Sequence, residues 1–158
     1  MNYVLLAGLL DYDPLTGWLT WNTRPGARVR VGDRAGCSGP EGYRVVKWKG
    51  HRYLEQRIII LKMTGTLPDK ADHANLNKGD NRWVNLRPAN STQNGANRAR
   101  QKNNTTGFKG VSKASPNTFK ASIRLGGKNP VHLGSFPTAE KAGKAYAEKA
   151  DAVIQACR

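Results

Sequence analysis

The sequence is poor in cysteine and has no long hydrophobic run. Its two cysteines, Cys37 and Cys157, form no Cys-x-x-Cys pair, which argues against a zinc site built from thiolates. The apolar stretch from Val4 to Leu10 is too short to span a bilayer, and no basic segment precedes it as in a secretion signal. We therefore interpret this stretch as part of a core, and we expect a cytoplasmic protein without a membrane partner.

Acidic side chains are also scarce. The chain has 11 Asp and Glu against 26 Lys and Arg, which gives a formal net charge of +15. This excess favours a polyanionic partner, nucleic acid first, because cationic side chains release the counterions condensed on phosphates. A protein that is basic without binding a polyanion is the alternative. With 158 residues and 38% hydrophobic side chains, the chain can hold one ordinary domain or two small ones.

The first part of the chain predicts short strands followed by a helix. Trp18–Trp21 has the composition of a strand, and the alternation between residues 42 and 54, with a turn at Lys49-Gly50, predicts a hairpin. Helical spacing from Leu54 to Thr64 predicts a helix that ends at Gly65. Three tryptophans are expected in the core: Trp18, Trp21 and Trp83.

A polar and basic segment, residues 98–106, has no apolar periodicity and marks the predicted domain boundary. Beyond it, three short strands are predicted at 108–111, 119–125 and 131–136. One amphipathic helix follows from about Thr138. The middle strand alternates apolar and basic or polar side chains, which predicts one buried and one exposed face.

The segment 71–94 contains the residue types that phosphodiester hydrolysis needs, namely a base to deprotonate water and oxygen ligands for a cation. Asp72 and His73 are adjacent. On an extended strand they would point to opposite faces, so both can serve one site only if the chain turns there, as Gly79 and the Asn/Asp-rich loop suggest. A solvated surface pair is the alternative.

This stretch resembles the ββα-metal motif of HNH endonucleases of the homing or phage type, on the strength of Asp72-His73, a downstream Asn85-Leu86 and the later Asn94. The close match covers about residues 55–97. The resemblance implies that His73 is the general base and that Asp72 and Asn94 ligate one divalent cation, Mg²⁺ first with Mn²⁺ or another ion as the alternative. It also implies that Asn85 braces the loop and orients His73. The expected catalytic residues are therefore His73, Asp72, Asn85 and Asn94.

One departure from the HNH pattern concerns the predicted helix at 54–64. Relatives commonly carry His-Arg where this chain has Gln56-Arg57, and glutamine is neither an acid nor a strong metal ligand. A DNA-binding regulator that keeps an HNH scaffold but cuts poorly or not at all is therefore the alternative function. RNA binding is a third interpretation, but the aromatic-rich pattern of single-strand recognition is missing.

The C-terminal part is similar to a plant-type ethylene-response-factor (APETALA-like) DNA-binding domain. The similarity rests on Gly107–Val111, Phe119–Arg124, His132–Phe136 and Thr138–Ala142, and it covers nearly all of residues 107–158. It implies a three-stranded sheet that packs on one helix and lies in the major groove.

The resulting expectation is an α+β protein in three parts: an HNH endonuclease domain at 1–97, with lead-in strands to residue 54, a basic linker at 98–106, and a DNA-binding domain at 107–158. The expected partner is double-stranded DNA in a bacterial or phage-infected cell, with no small-molecule cofactor and an undetermined oligomeric state. For Arg82 and Arg87, solvated surface charges are an equal alternative to phosphate contacts. The predicted DNA contacts are Arg57, Arg82, Arg87, Arg98, Arg100, Lys102, Lys109, Lys113, Lys120, Arg124 and Lys128.

Overall fold

The structure, a computed structural model, describes residues 2–97, 100–125 and 129–155. It confirms the α+β class, with small antiparallel sheets and a last helix packed on a C-terminal sheet. Arg98 and Lys128, both predicted DNA contacts, lie outside the described residues. The helices are α1 (Tyr3–Gly8), α2 (Glu55–Thr64), α3 (Ser91–Ala96) and α4 (Ala139–Gln155), and the strands are β1 (Leu10–Asp13), β2 (Trp18–Trp21), β3 (Cys37–Ser38), β4 (Arg44–Trp48), β5 (His51–Leu54), β6 (Lys70–His73), β7 (Leu86–Ala89), β8 (Val111–Ser115), β9 (Thr118–Ile123) and β10 (Val131–Phe136).

The chain divides into two compact units, Met1–Ala89 and Asn90–Arg158. The sequence placed the end of the first domain at residue 97. Helix α3, which follows the β6–β7 hairpin along the chain, therefore groups with the second unit in the structure.

The first unit is built on helix α2 and three small sheets, with strand orders β1-β2, β3-β4-β5 and β6-β7. The predicted helix is confirmed: Ile58 and Ile59 are fully buried, and Gly65 ends it in the left-handed conformation, with φ of 73°. Burying each isoleucine stabilises the fold by about 1.5–3 kcal/mol relative to leaving it exposed. Helix α2 contacts β4, β5, β6 and β7, so it is the element against which the site hairpin is held.

Two predictions about apolar residues in the first unit need correction. Trp18 is 47% exposed, because its ring lies on the sheet surface beneath the guanidinium of Arg34, 4.2 Å away, rather than in the core. The stretch from Val4 to Leu10 contributes Leu6 and Leu10 to the core but leaves Val4 68% exposed, since it forms a short helix with only one buried face.

The second unit contains the sheet β10-β9-β8, whose apolar face packs on α4. The three predicted strands are present, but the first spans Val111–Ser115 instead of 108–111. The physical reason is a turn before it: Gly110 has a positive φ of 69°, and a Cβ atom there would collide with the Tyr146 ring of α4. The chain can start its strand only after this close approach.

None of the helices in the described ranges is both long enough and apolar enough to cross a bilayer.

Candidate active site

The β6–β7 hairpin positions the adjacent Asp72 and His73. In its antiparallel register Asp72 lies opposite Arg87, and His73 lies opposite Leu86. Both side chains are buried, at 6% and 4% exposure. The strand ends at His73, and the chain turns immediately, with Leu76 donating its N–H to the His73 carbonyl. Asp72 and His73 are therefore both extended residues of β6, in which successive side chains point to opposite faces, and the chain turns only after the pair.

Asp72 forms a cross-strand ion pair. Nε and a terminal nitrogen of Arg87 donate to the same oxygen, Oδ2, at 3.0 and 2.7 Å. The pair is largely shielded from solvent, which makes such charge-assisted bonds stronger than those on an open surface. Two predicted site residues thus contact each other: the carboxylate assigned to the metal and an arginine assigned to phosphate.

The imidazole of His73 is held by Asn81. The distance from His73 Nε2 to Asn81 Oδ1 is 3.0 Å, and Asn81 is itself only 2% exposed. The amide nitrogen of Asn81 donates to Glu55 Oε2 at 2.9 Å, and Nε of Arg44 donates to that oxygen at 3.2 Å. A continuous hydrogen-bonded row therefore runs from the surface through the buried Glu55 to the candidate base.

Asn85 braces the loop between the two strands. Its Oδ1 accepts the N–H of Asn75 at 2.9 Å, and its Nδ2 donates to the carbonyl of Asp80 at 2.7 Å. Arg82 donates twice to the Asp80 carboxylate, which holds the pKa of that group well below its usual range. The structure thus gives Asn85 the predicted contacts to the loop and brings Asn81, which the sequence did not single out, to the His73 ring.

The lead-in turn fixes the position of Asn81 from the other side. Gly17 has a positive φ of 76°, and a Cβ atom there would collide with the backbone of Asn81 and Arg82. The backbone N–H of Trp83 donates to the Pro14 carbonyl at 3.1 Å. The turn that contains Pro14 and Gly17 therefore packs directly against the site loop.

Tyr12 supplies a further bond to this loop, and we expect Tyr12→Phe to lower the free energy of unfolding by about 1 kcal/mol. Its hydroxyl donates to the Asn81 carbonyl at 2.8 Å, and burial, with Asp13 and Asp80 nearby, raises its pKa to about 12. Because the folded pKa lies above the ordinary value of 10.0, the advantage over the phenylalanine variant is complete below pH 10 and disappears as pH rises through 12.

Urea unfolding at several pH values checks this. Tyr43→Phe is the matched control, since that hydroxyl has no hydrogen-bond partner in the described part of the chain. Equal losses in both variants, or a loss for Tyr12→Phe that persists above pH 12, would refute the assignment.

Asn94, the other predicted metal ligand, lies on α3 and is partly exposed. This helix is well defined at its start: Asn90 accepts from the backbone of Gln93, and the Gln93 side chain accepts from the backbone of Asn90, a complete capping box. Along the chain, β6 and β7 are followed by α3, which is the order of elements in the predicted ββα motif.

Several predicted DNA-contacting cations have intramolecular partners. Arg57 donates twice to the Pro68 carbonyl and lies on the Tyr3 ring, and Lys109 donates to the carbonyls of Gly95 and Ala96. These bonds give the two side chains structural roles.

Arg82 and Arg87 pair with carboxylates as described above, and Arg100 donates to the Asn104 carbonyl. The exposed predicted contacts in the described ranges are Arg82, Arg100, Lys102, Lys113, Lys120 and Arg124.

Gln56, the departure from the HNH pattern, is 2% exposed and points inward. Its Oε1 has no hydrogen-bond partner among the residues described. A buried amide oxygen without a partner is costly, so Gln56 lowers the stability of the fold relative to a side chain whose polar atoms are all bonded.

Few side chains in the described ranges could hold a divalent cation. Within residues 2–97, 100–125 and 129–155, no three His, Cys, Asp or Glu side chains form a group that could hold a metal. The predicted donors are fewer, one carboxylate from Asp72 and one amide oxygen from Asn94. Asp72 belongs to the first unit and Asn94 to the second. A carboxylate and an amide oxygen are donors of the kind that hard divalent cations bind, together with waters and phosphate oxygens.

The sequence missed Asn81 and Glu55. Asn81 lies within the Asp80-Asn81-Arg82 stretch of the motif, where its polarity alone did not distinguish it from other loop asparagines. Glu55 had a clearer signal, because it is a carboxylate at the start of a helix whose next turn is entirely apolar, and helix α2 buries it.

The segment that carries this site has a match among known proteins. Residues 53–96 match the HNH endonuclease family, and this range includes Glu55, His73, Asn81 and Asn94. An uncharacterized HNH endonuclease of Acanthamoeba polyphaga mimivirus is 34% identical over 110 residues, which is 68% of this chain and 56% of the relative. The chain thus spans little more than half the length of that relative. No solved structure matches the chain. Residues 53–96 therefore form an HNH endonuclease domain.

Proposed function

We propose that this protein is a metal-dependent DNA endonuclease in which His73 activates water for attack on a phosphodiester. One observation carries the proposal: within the segment that matches HNH endonucleases, a buried histidine is fixed through Nε2 and lies next to a buried aspartate at the end of a hairpin. Such fixation is typical of a general base, because the hydrogen bond at one ring nitrogen determines the chemistry of the other.

The proposed reaction begins with the transfer of a water proton to His73 Nδ1. The water oxygen then forms a bond to phosphorus, and the bond from phosphorus to the leaving sugar oxygen breaks. That oxygen takes up a proton from solvent water, and His73 returns its proton to solvent. Asp72 and Asn94 would hold a divalent cation, which when bound offsets negative charge on the phosphate and on the leaving oxygen. Asn85 keeps the loop in place, and Asn81 orients the imidazole.

An assay on supercoiled plasmid distinguishes the proposed nuclease from the alternative, a DNA-binding regulator that does not cut. We expect nicked or linear DNA with Mg²⁺ or Mn²⁺ and intact plasmid with EDTA. The inactive regulator has a specific observation in its favour, the unsatisfied Gln56 in place of the usual histidine. Full DNA binding without scission across several divalent ions and DNA sequences would establish that alternative instead.

For the second unit we propose DNA targeting by a domain of the ethylene-response-factor type. A three-stranded sheet packed on one helix supports this. The antiparallel register places Lys120 beside Ser112 and Ser135, on the face opposite the one that carries α4. Lys113 pairs with Phe119 and therefore belongs to the helix side of the sheet, so Lys120 and the exposed Arg124 are the best candidates on the open face.

Replacing Lys120 and Arg124 by alanine should weaken DNA binding and reduce the salt dependence of log Kd by about 2, since each phosphate contact contributes about 0.9. Titrations at several salt concentrations measure this slope. The matched control replaces Lys141 and Lys144, two exposed lysines of α4, and removes the same charge. An equal change in the control would show that net charge, rather than the open face of the sheet, determines binding.

The similarity to homing and phage nucleases further supports a role in genome mobility, in a bacterial or phage-infected cell.

A further inference from the structure

A buried carboxylate lies behind the candidate base, and the proposed mechanism does not yet use it. Glu55 is 1% exposed at the first position of α2. Gly36 covers it so closely that a Cβ atom there would collide with Glu55 Oε1. Oε1 has no hydrogen-bond partner in the described part of the chain, whereas Oε2 accepts from both Arg44 and Asn81. A carboxylate buried at this cost needs a role beyond filling space.

The contact between Glu55 and Asn81 determines which end of the Asn81 amide faces His73. An asparagine amide has one acceptor end and one donor end, and either can face a neighbour, whereas a carboxylate oxygen flanked by two donors can only accept. Glu55 Oε2 therefore requires the NH₂ end of Asn81. The carbonyl end must then face His73, and it can bond only to a protonated Nε2. The remaining ring nitrogen, Nδ1, then carries the lone pair.

We propose that Glu55 is a positioning residue, which acts through Asn81 to hold His73 in the Nε2–H tautomer and so makes Nδ1 the basic atom. This inference deepens the proposed function and rests on it for the role of Nδ1. Arg44 contributes by donating to the same oxygen, so that Oε2 remains the acceptor.

The orientation of the Asn81 amide does not depend on whether Glu55 is ionised. Burial raises the pKa of this carboxyl, against the opposing effects of Arg44, Asn81 and Arg34. Because both donors face Oε2, a proton taken up by the group resides on Oε1. Oε2 accepts from Asn81 in either ionisation state.

The test measures the tautomer of His73 by ¹⁵N NMR of the imidazole in the full chain, without DNA or metal. The chain has three histidines, and the His73→Ala spectrum assigns the resonance. We expect the Nε2–H tautomer alone in the wild type. In Glu55→Gln, whose amide oxygen still accepts from Arg44 and Asn81, we expect the same tautomer. In the double variant Arg44→Leu, Glu55→Leu, the Asn81 amide can turn either way, and we expect signals of both tautomers.

The double variant removes both partners, because loss of Arg44 alone would leave the buried Glu55 carboxylate without its counter-charge. Gln56→Leu is the matched control: it removes the neighbouring buried polar group and should leave the tautomer unchanged. An Nδ1–H tautomer in the wild type would overturn the proposal without any variant. Loss of the Nε2–H tautomer in Glu55→Gln would overturn it too, as would a folded double variant that keeps only the Nε2–H form.

A kinetic readout separates this inference from the proposed function. The double variant should cut bound DNA about ten-fold more slowly, with unchanged Kd, because part of the population lacks the basic Nδ1. If the wild type does not cut DNA, the proposed function fails while the tautomer experiment still decides the positioning role. If the wild type cuts and the double variant cuts equally fast, the positioning role fails while the nuclease stands.

Discussion

His73→Ala should lower the rate of DNA strand scission by about 10²- to 10⁴-fold, the range expected for loss of a general base. The side chain is 4% exposed and is bonded to Asn81, so its contribution to DNA affinity is small, and Kd should stay at the wild-type value. The rate is measured under single-turnover conditions on an end-labelled duplex, with the protein in excess.

His51→Ala is the matched control for that experiment, because His51 is an exposed residue of β5 and the substitution is identical in size. It should cut at the wild-type rate. A His73→Ala protein that cuts as fast as this control would show that another group deprotonates the water.

Asp72→Ala should reduce scission by about 100-fold or more, since metal-ion stabilisation of phosphoryl transfer amounts to several kcal/mol. Asp72→Asn, which keeps one oxygen donor, should retain part of the activity and require more Mg²⁺. Rates as a function of Mg²⁺ concentration measure both effects. Both substitutions also leave Arg87 without its carboxylate partner, so thermal unfolding of both variants should occur at a lower temperature.

Arg87→Met separates metal binding from ion pairing. It breaks the same pair but keeps the Asp72 carboxylate, so stability should fall while the Mg²⁺ requirement stays near that of the wild type. If Arg87→Met and Asp72→Ala lost activity equally, with the same Mg²⁺ dependence, then Asp72 would act only as the partner of Arg87.

Local patterns were enough to predict the elements that carry the site. Helical spacing and Gly65 located α2. The Asn/Asp-rich loop suggested a turn near Asp72-His73, and the chain turns directly after His73. The alternation in the C-terminal part predicted its three strands and helix. Each of these features depends on side-chain periodicity or turn chemistry within about ten residues.

The contacts that hold the candidate base His73 could not be predicted in this way, because they join residues that are distant in sequence. Glu55 and Asn81 are 26 positions apart, and Tyr12 reaches Asn81 across 69 positions. Nothing in the local sequence states which of several loop asparagines will face the histidine. The contact depends on the docking of α2 and of the lead-in turn against the loop.

Two of the differences between prediction and structure, at Trp18 and at the start of β8, have the same origin. Trp18 alternates correctly within β2, but the face it occupies is covered by Arg34 rather than by another sheet. The first strand of the second unit starts three residues late because Gly110 must pass close to Tyr146 on α4. In both cases a partner distant in sequence determines the outcome.

The most direct test of the account is the single-turnover rate of strand scission by the wild-type protein on a saturated duplex, measured with Mg²⁺ and with EDTA. We predict cut strands that accumulate with Mg²⁺ and none with EDTA. A duplex that remains intact at full occupancy with Mg²⁺, Mn²⁺ and other divalent ions would contradict the assignment of His73 and Asp72 as a hydrolytic centre.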